Sequence, residues 1–171
     1  PAWAFGGFER PEGVNPLITP NVSTSFSCPM RGYSVAWECA DTFNPAAVEK
    51  DGKICILYRA EDDPKAGIGG RTSRIGYAES ADGIHLDYRQ ATPVFYPDGS
   101  DISRTYEWKG GCEDPRVVAA NVKGKTLYVM TYTAWNNRTP RLAIATSTDL
   151  QHWTKHGPAL LNAYNGKFKD L

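Results

Sequence analysis

The sequence lacks the features that mark several common functional classes. Its formal net charge is zero, with 19 basic and 19 acidic residues among 171, and it contains no block of Lys and Arg. We therefore expect neither nucleic acid nor an anionic membrane as a partner. No apolar stretch approaches the roughly 20 residues that a membrane-spanning helix needs.

Metal and thiol chemistry find equally little support. The four cysteines have no C-x-x-C spacing, which argues against a zinc site, so we expect no bound metal. Cys55 lies inside an apolar run and is expected to be a buried free thiol. No nucleophile constellation with Ser or Cys surrounds the histidines, which we interpret as structural: His85, His152 and His156.

The most informative feature that is present is a pattern that occurs twice. One copy opens with Phe43-Asn44-Pro45 and the other with Glu113-Asp114-Pro115. Each continues through a Gly-Lys pair, an apolar run, an Arg-containing run and a Ser-x-Asp turn. A repeat of this length, made of short strands and turns, is typical of β-propeller blades. The copies differ where chemistry would lie, because one carries Asn44 and the other Asp114.

The apolar runs have the length and composition of strands and are bounded by Gly, Asp and Pro clusters. No segment has helical spacing over three turns, so we predict an all-β fold. Residues 1–36, rich in Pro, Gly and Ser, are predicted to form an irregular arm with one short strand, and residues 37–171 the blades. The predicted strand runs are Ile54–Tyr58, Arg74–Ala78, Val117–Ala120, Leu127–Thr133 and Leu142–Thr146.

Turn signals connect these strands. Glu49–Lys53 is predicted to form a hairpin, and the Ser-x-Asp turns to lead into each outer strand. Leu86 and Trp153, which follow those turns, are expected to pack between neighbouring blades. The chain then contains about two and a half blades, whereas known propellers close with roughly four to eight. We therefore expect this chain, which starts at Pro1 rather than Met, to be a portion of a larger domain, either trimmed or mature after signal removal.

The densest polar cluster is Gly110–Arg116. Its two glycines allow close backbone approach, and Pro115 is expected to hold Asp114 in an extended conformation at the entry to an inner strand. A partly desolvated carboxyl there could act as a general acid on a glycosidic oxygen. The alternative is structural: Glu113 and Asp114 would cap the strand and pair with Arg116.

A second cluster follows the apolar run that ends at Tyr58. Arg59, directly after that strand, is expected to point at a site or at a buried partner, and with nearby acids it could bind sugar hydroxyls or phosphate. Asp63 is expected to be solvated. Arg74 and Arg141 occupy equivalent places in the two copies, which favours a structural role for at least one of them.

Five strings of the sequence together resemble glycoside hydrolase family 130, which comprises β-mannoside phosphorylases and β-1,2-mannosidases on a five-bladed β-propeller. The resemblance covers most of residues 40–160, and its Gly-Cys-Glu-Asp-Pro-Arg motif is specific. The strings are Phe43–Ala47, Leu57–Asp62, Thr72–Gly76, Gly111–Arg116 and Thr131–Ala134.

The resemblance implies cleavage with inversion, with Asp114 as the proton donor. In the phosphorylases of the family this proton is thought to pass through a mannose hydroxyl. Asn44 and Arg59 correspond to substrate-pocket residues, and no cofactor is implied beyond inorganic phosphate as a co-substrate of a phosphorylase. The further residues that we expect at the mannose-binding funnel are Glu61, Asp62, Arg74, Glu113, Arg116 and Arg141.

The sequence favours a β-mannosidase, since Trp108–Gly111 and Trp153–Ala159 resemble the mannosidase branch of the family. Alternatives are a mannoside phosphorylase and a carbohydrate-binding propeller without catalysis. A scaffold for protein contacts is a third alternative that the composition does not favour. The expected partner is a manno-oligosaccharide, a homo-oligomer remains an open alternative, and the expected compartment is the bacterial periplasm or the exterior.

Overall fold

The computed structural model describes residues 6–7, 9–67 and 69–163. Its regular elements are almost all strands, which confirms the all-β prediction. The helical part of these residues is a five-residue π-helical turn, Ser103–Glu107. None of the described helices is long and apolar enough to cross a membrane. The strands are β1 Phe26–Cys28, β2 Tyr33–Val35, β3 Asp41–Lys50, β4 Lys53–Glu61, β5 Ser73–Ser80, β6 Tyr88–Arg89, β7 Gly111–Val122, β8 Lys125–Trp135, β9 Pro140–Ser147 and β10 Thr154–Pro158.

The two copies of the repeat form two antiparallel units of four strands each. The first unit contains β3–β6 and the second β7–β10, and each predicted apolar run lies inside a strand. A single parallel pair, Ser73 with Gly111, joins the units into one sheet. A Cβ atom on Gly111 would lie 2.1 Å from the Ser73 carbonyl oxygen, so a side chain at this position would push the units apart.

Both inner hairpins are tight two-residue turns with the same backbone geometry. Asp51 and Gly52 have φ values of 53° and 76°, and Lys123 and Gly124 have 52° and 79°. Two successive residues at positive φ match the twist of the flanking strands, which explains the Gly at the second position. The predicted hairpin at Glu49–Lys53 is therefore confirmed.

The described residues of the arm contain two short strands rather than the single one expected. Gly32, at a φ of 72°, allows the chain to reverse, and β1 then pairs antiparallel with β2. This hairpin covers one face of the first unit, where Trp37 is fully buried. The other face of the first unit packs against the second unit.

Two apolar clusters hold these layers together. Cys55 is 2% exposed and its thiol is free, as expected. Trp153 packs against the cluster between the units, whereas Leu86 packs against the cluster under the arm. The cluster between the units includes Leu57, Ile75, Tyr77, Met130, Tyr132 and Leu150, and the cluster under the arm includes Phe26, Trp37, Tyr58 and Ala78.

A fully buried carboxylate lies under the arm and is bound by a tyrosine and an arginine. The Tyr58 hydroxyl donates to Glu38 at 2.8 Å, and Arg89 Nη2 donates to the same oxygen, Oε2, at 2.6 Å. Burial and then the charge of Glu38 raise the pKa of Tyr58 above its usual range, so the phenol stays a donor.

A similar arrangement surrounds Glu107, the last residue of the π-helical turn that precedes the second unit. Tyr132, which occupies the place of Tyr58 in the repeat, donates to Glu107 at 2.8 Å, and Lys155 Nζ lies 2.5 Å from the other carboxylate oxygen. Burial opposes the charge of Lys155, but its interactions with Cys112 and Glu107 hold the Lys155 pKa above its usual range. The strand that continues into Glu113 and Asp114 is therefore packed against an ion pair.

Replacement of Lys155 by Met tests this buried pair. The variant leaves the Glu107 carboxylate buried without a counter-charge, and we expect it to lower the free energy of unfolding by about 3–5 kcal/mol. Denaturant titration followed by tryptophan fluorescence measures the loss. Adding Glu107→Gln to Lys155→Met removes the unpaired charge and should restore more than half of it.

Lys53→Met is the matched control, since Lys53 forms an exposed pair with Glu79 and its loss should change stability little. A Lys155→Met protein as stable as the Lys53→Met protein would contradict the assignment of Glu107 and Lys155 as a buried ion pair.

Candidate active site

Asn44 and Asp114 lie at equivalent β-bulges of the two units. The register of β3 against β4 shifts after Phe43, and that of β7 against β8 shifts after Glu113. Asn44 and Asp114 have φ values of 44° and 49°, in the left-handed region that Asn and Asp tolerate better than most residues. Such strained positions cluster at functional sites.

The expectation that Pro115 holds Asp114 extended is wrong. A proline disfavours helical conformations of the preceding residue, but here the bulge inserts an extra residue and turns the backbone over at Asp114. As a result the carboxyl group is aimed toward the first unit rather than along the strand. Asn44, before Pro45, is turned in the same way.

The two bulges meet at one carboxylate oxygen. Asn44 Nδ2 donates to Asp114 Oδ1 at 2.8 Å, and Arg59 Nη1 donates to the same oxygen at 3.0 Å. Asp114 is 6% exposed. The two residues that the repeat places in matching positions therefore contact each other across the junction of the units.

Arg59 is the hub of this cluster. Its Nη2 donates to Glu61 Oε1 at 2.6 Å and to Glu113 Oε1 at 2.9 Å, and its Nε donates to Ser73 Oγ at 3.1 Å. The guanidinium also lies over the Phe43 ring, with Cζ 4.6 Å from the centroid. Nε, Nη1 and Nη2 of Arg59 therefore all donate to side chains, which confirms the expectation that Arg59 points at a site or a buried partner.

The electrostatics favour a permanently charged Arg59. Burial opposes its charge, but Glu113 and the hydrogen bonds to Asp114 and Glu61 outweigh burial and raise the pKa of Arg59. The alternative in which Glu113 and Asp114 pair with Arg116 does not describe this geometry. Arg116 is exposed, and its Nη1 donates to the Pro115 carbonyl at 2.9 Å.

Glu61 lies inside the cluster, where its two oxygens are bound by different arginines. Oε1 accepts from Arg59 and Oε2 lies 3.4 Å from Arg71 Nη1, which also pairs with Asp41. Ser73 Oγ donates to Glu61 Oε1 at 3.1 Å. Glu61 is therefore placed to orient Arg59.

The structure does not bring Asp62 and Arg74 into this cluster. Arg74 is fully buried, and its Nη1 donates to Asp62 Oδ2 at 2.9 Å. Its guanidinium lies 5.2 Å from the centroid of Phe26 in the arm. Successive residues of a strand face opposite sides, so Glu61 faces the junction of the units while Asp62 faces the arm.

Arg141 lies at the start of β9, and two of the histidines lie at the Ser-x-Asp turns. Arg141 pairs in register with Ala134, and its guanidinium lies 5.8 Å from the Tyr106 ring centroid. The predicted Ser-x-Asp turns both bind a histidine: Nδ1 of His85 and Nδ1 of His152 each lie 2.7 Å from the turn's aspartate. Both rings are exposed, in keeping with a structural role.

Ser73, Phe43 and Arg71 were missed as partners of the site. Ser73 could have been predicted from the sequence. It precedes Arg74 on β5, and neighbouring residues of a strand face opposite sides of the sheet. Among the described residues no group of three or more His, Cys, Asp or Glu side chains could hold a metal ion. The arrangement thus offers one buried carboxyl with two donors on one oxygen, beside a fixed cation.

Known proteins share this sequence and architecture. The chain is 38% identical over 128 residues to a 1,2-beta-oligomannan phosphorylase from Thermoanaerobacter sp. (strain X514), with 72% of the chain aligned. It is 58% identical to a glycosyl hydrolase from Bacteroides ovatus, with 98% of the chain aligned and a TM-score of 0.87. A further solved structure is 62% identical over 100% of the chain, again with a TM-score of 0.87. It was reported in work stating that the GH130 family of mannoside phosphorylases contains glycoside hydrolases that target beta-1,2 mannosidic linkages in Candida mannan.

The chain spans less than half of these relatives, namely 40% of the phosphorylase and 45% and 46% of the two solved chains. The model of a family of enzymes, described as beta-1,4-mannooligosaccharide phosphorylase, matches residues 10–168. The chain, with its Asp114 cluster, therefore belongs to glycoside hydrolase family 130.

Proposed function

We propose that this chain is part of an enzyme that cleaves β-mannosidic linkages, with β-1,2-linked manno-oligosaccharides as substrates and Asp114 as the proton donor. The observation that carries the proposal is the convergence of Asn44 and Arg59 on Asp114 Oδ1. These contacts fix the orientation of a buried carboxyl group, which a general acid requires.

In the proposed step the neutral Asp114 carboxyl group supplies a hydrogen, while Oδ1 is oriented by the hydrogen bonds from Asn44 and Arg59. In the proposed reaction this hydrogen passes to the departing glycosidic oxygen, directly or through a mannose hydroxyl. As the C–O bond to the leaving sugar breaks, the incoming oxygen bonds to the anomeric carbon from the opposite face, which inverts its configuration. An attacking water gives up a proton in this step to a general base, which inverting glycosidases provide as a second carboxylate.

The same proposal extends to the architecture. The two four-stranded units are taken as adjacent blades of a five-bladed β-propeller, with the remaining blades supplied by sequence beyond this chain. The repeated bulges and hairpins support this reading, as does the side-by-side packing of the units. Asn44, Arg59 and Asp114 would then face the central funnel.

Water is the proposed attacking group. The 62% identical structure, whose report names glycoside hydrolases, supports hydrolysis. Phosphorolysis is the second candidate, and the names of the family model and of the 38% identical relative favour it. In that case inorganic phosphate is the co-substrate, and mannose 1-phosphate is the product.

Replacement of Asp114 by Asn in the full-length enzyme tests the proton donor. The amide keeps the shape of the side chain but cannot supply the proton, so we expect kcat to fall about 10²–10⁴-fold. Initial rates of mannose release from β-1,2-mannobiose measure the loss, and the free energy of unfolding should stay close to that of the wild type. Asp101→Asn, at an exposed position, is the matched control. A kcat within twofold of the wild type in Asp114→Asn would remove Asp114 from the mechanism.

Product analysis tests the attacking group and the linkage. The full-length enzyme is incubated with β-1,2- or β-1,4-mannobiose, with and without phosphate, and the products are separated by chromatography. We expect free mannose from the β-1,2-linked sugar in both conditions. Mannose 1-phosphate that appears only with phosphate would replace hydrolysis by phosphorolysis. A folded enzyme that releases no product but binds the sugars would point to a carbohydrate-binding protein.

A further inference from the structure

A cavity lies between the β1–β2 hairpin and the end of β4. Its volume is about 240 Å³, and the side chains that matter here are Arg31, Tyr33, Asp62 and Asp63. Asp62 is among the residues expected at the mannose-binding funnel, yet the structure places it in this cavity. The cavity therefore needs a separate explanation.

Arg31 is held rigidly at the wall of the cavity. Its Nη1 donates to the Tyr33 hydroxyl at 3.3 Å and its Nη2 to Thr72 Oγ1 at 3.2 Å, while Nη2 also lies 3.6 Å from Asp62 Oδ2. The guanidinium faces the Trp108 ring, with Cζ 5.7 Å from the centroid. A cation fixed by four groups is preorganised for a ligand.

One donor of Arg31 remains to be satisfied. Nε is buried and has no hydrogen-bond partner within residues 6–7, 9–67 and 69–163. Solvent does not reach Nε, so a ligand in the cavity would contact the exposed part of the guanidinium, whose side chain is 24% exposed.

Tyr33 and Asp63 give the cavity an aromatic face and a negative charge in addition to the Arg31 cation. Tyr33 is 58% exposed, so its ring presents an apolar face to solvent, and Asp63 adds an exposed carboxylate. An aromatic face, a guanidinium donor and carboxylate acceptors together match a pyranose ring, which has apolar C–H faces and a rim of hydroxyls. A cavity of about 240 Å³ has room for one such ring rather than for a longer segment.

The cavity and the Asp114 cluster share the same two strand ends. Asp62 directly follows Glu61, and Thr72 directly precedes Ser73. Glu61 and Ser73 bind Arg59, whereas Asp62 and Thr72 bind Arg31. Since Glu61 and Asp62 face opposite sides, a chain of sugars that contacts both groups of side chains passes around this edge of the sheet.

We propose that the cavity at Arg31 and Tyr33 is an accessory subsite for a mannosyl residue remote from the bond that Asp114 cleaves. The inference rests on the proposed function, since it assigns a longer manno-oligosaccharide to the same enzyme. The subsite makes the enzyme prefer tri- and tetrasaccharides over the disaccharide.

The test compares substrate lengths in the full-length enzyme. For each variant, kcat/KM is measured for β-1,2-mannotetraose and β-1,2-mannobiose, and the ratio of the two is taken. Tyr33→Ala removes the ring, and we expect the ratio to fall about tenfold, mainly through KM for the tetrasaccharide. Tyr33→Phe keeps the ring and should retain most of the ratio.

Tyr88→Ala is the matched control, because Tyr88 is also an exposed tyrosine, at 46%, but lies on β6, outside the cavity. It should leave the ratio unchanged. A Tyr33→Ala enzyme with the wild-type ratio would overturn the subsite, and so would an equal fall in Tyr88→Ala.

Failure of the subsite and failure of the proposed function are distinguishable. A wild-type enzyme that does not cleave mannobiose sinks the proposed function. Calorimetric titration of mannotetraose and mannobiose into the Asp114→Asn protein tests the subsite without turnover. Adding Tyr33→Ala should weaken mannotetraose binding more than mannobiose binding, and equal affinities before and after that change would contradict the subsite.

Discussion

One guanidinium group sets the geometry of the candidate site. Arg59 contacts Glu61 on its own strand, Ser73 on β5, and Glu113 and Asp114 on β7, so a single side chain ties three strands of both units together. Burying charged groups is costly unless each is paired and hydrogen-bonded. The strands must therefore keep the separation and register that these contacts need, and the parallel pair at Gly111 provides the close approach.

The buried hydrogen-bond networks of Glu38 and Glu107 also help to hold these strands in register. Glu38 under the arm and Glu107 in the π-helical turn each bind a tyrosine hydroxyl and a cation. They lie behind the strands that carry Arg59 and Asp114. Directional hydrogen bonds at these depths fix the strands more tightly than apolar contacts alone, because an unpaired buried group is costly. Buried residues that do not belong to the site thus contribute to the positions of Arg59 and Asp114.

Much of this could be predicted from the sequence. The repeat predicted the two units and the matching positions of Asn44 and Asp114, because each copy carries its own turn signals and apolar runs. The hairpin at Glu49–Lys53 was predicted from its turn residues, which include Gly52 at a position that few other residues tolerate. These features could be predicted because they depend on residues close together in the sequence.

The parts that could not be predicted depend on contacts distant in sequence. Arg74 was expected at the mannose-binding funnel, but it is completely buried and lies against Phe26 of the arm. Similarly, Asp114 reads as extended because of Pro115, yet pairing with β8 imposes a bulge there.

Pro45, which follows Asn44, also affects the chemical stability of the asparagine side chain. Asparagine loses its amide nitrogen when the backbone nitrogen of the next residue attacks the side chain and closes a cyclic imide. Pro45 has no N–H to make that attack, so Asn44 is protected from deamidation by this route. The protection matters here because an aspartate at position 44 would bring a second carboxylate to Asp114 Oδ1 in place of the amide donor. The Asn-Pro pair therefore keeps the difference between the two bulges intact over the lifetime of the molecule.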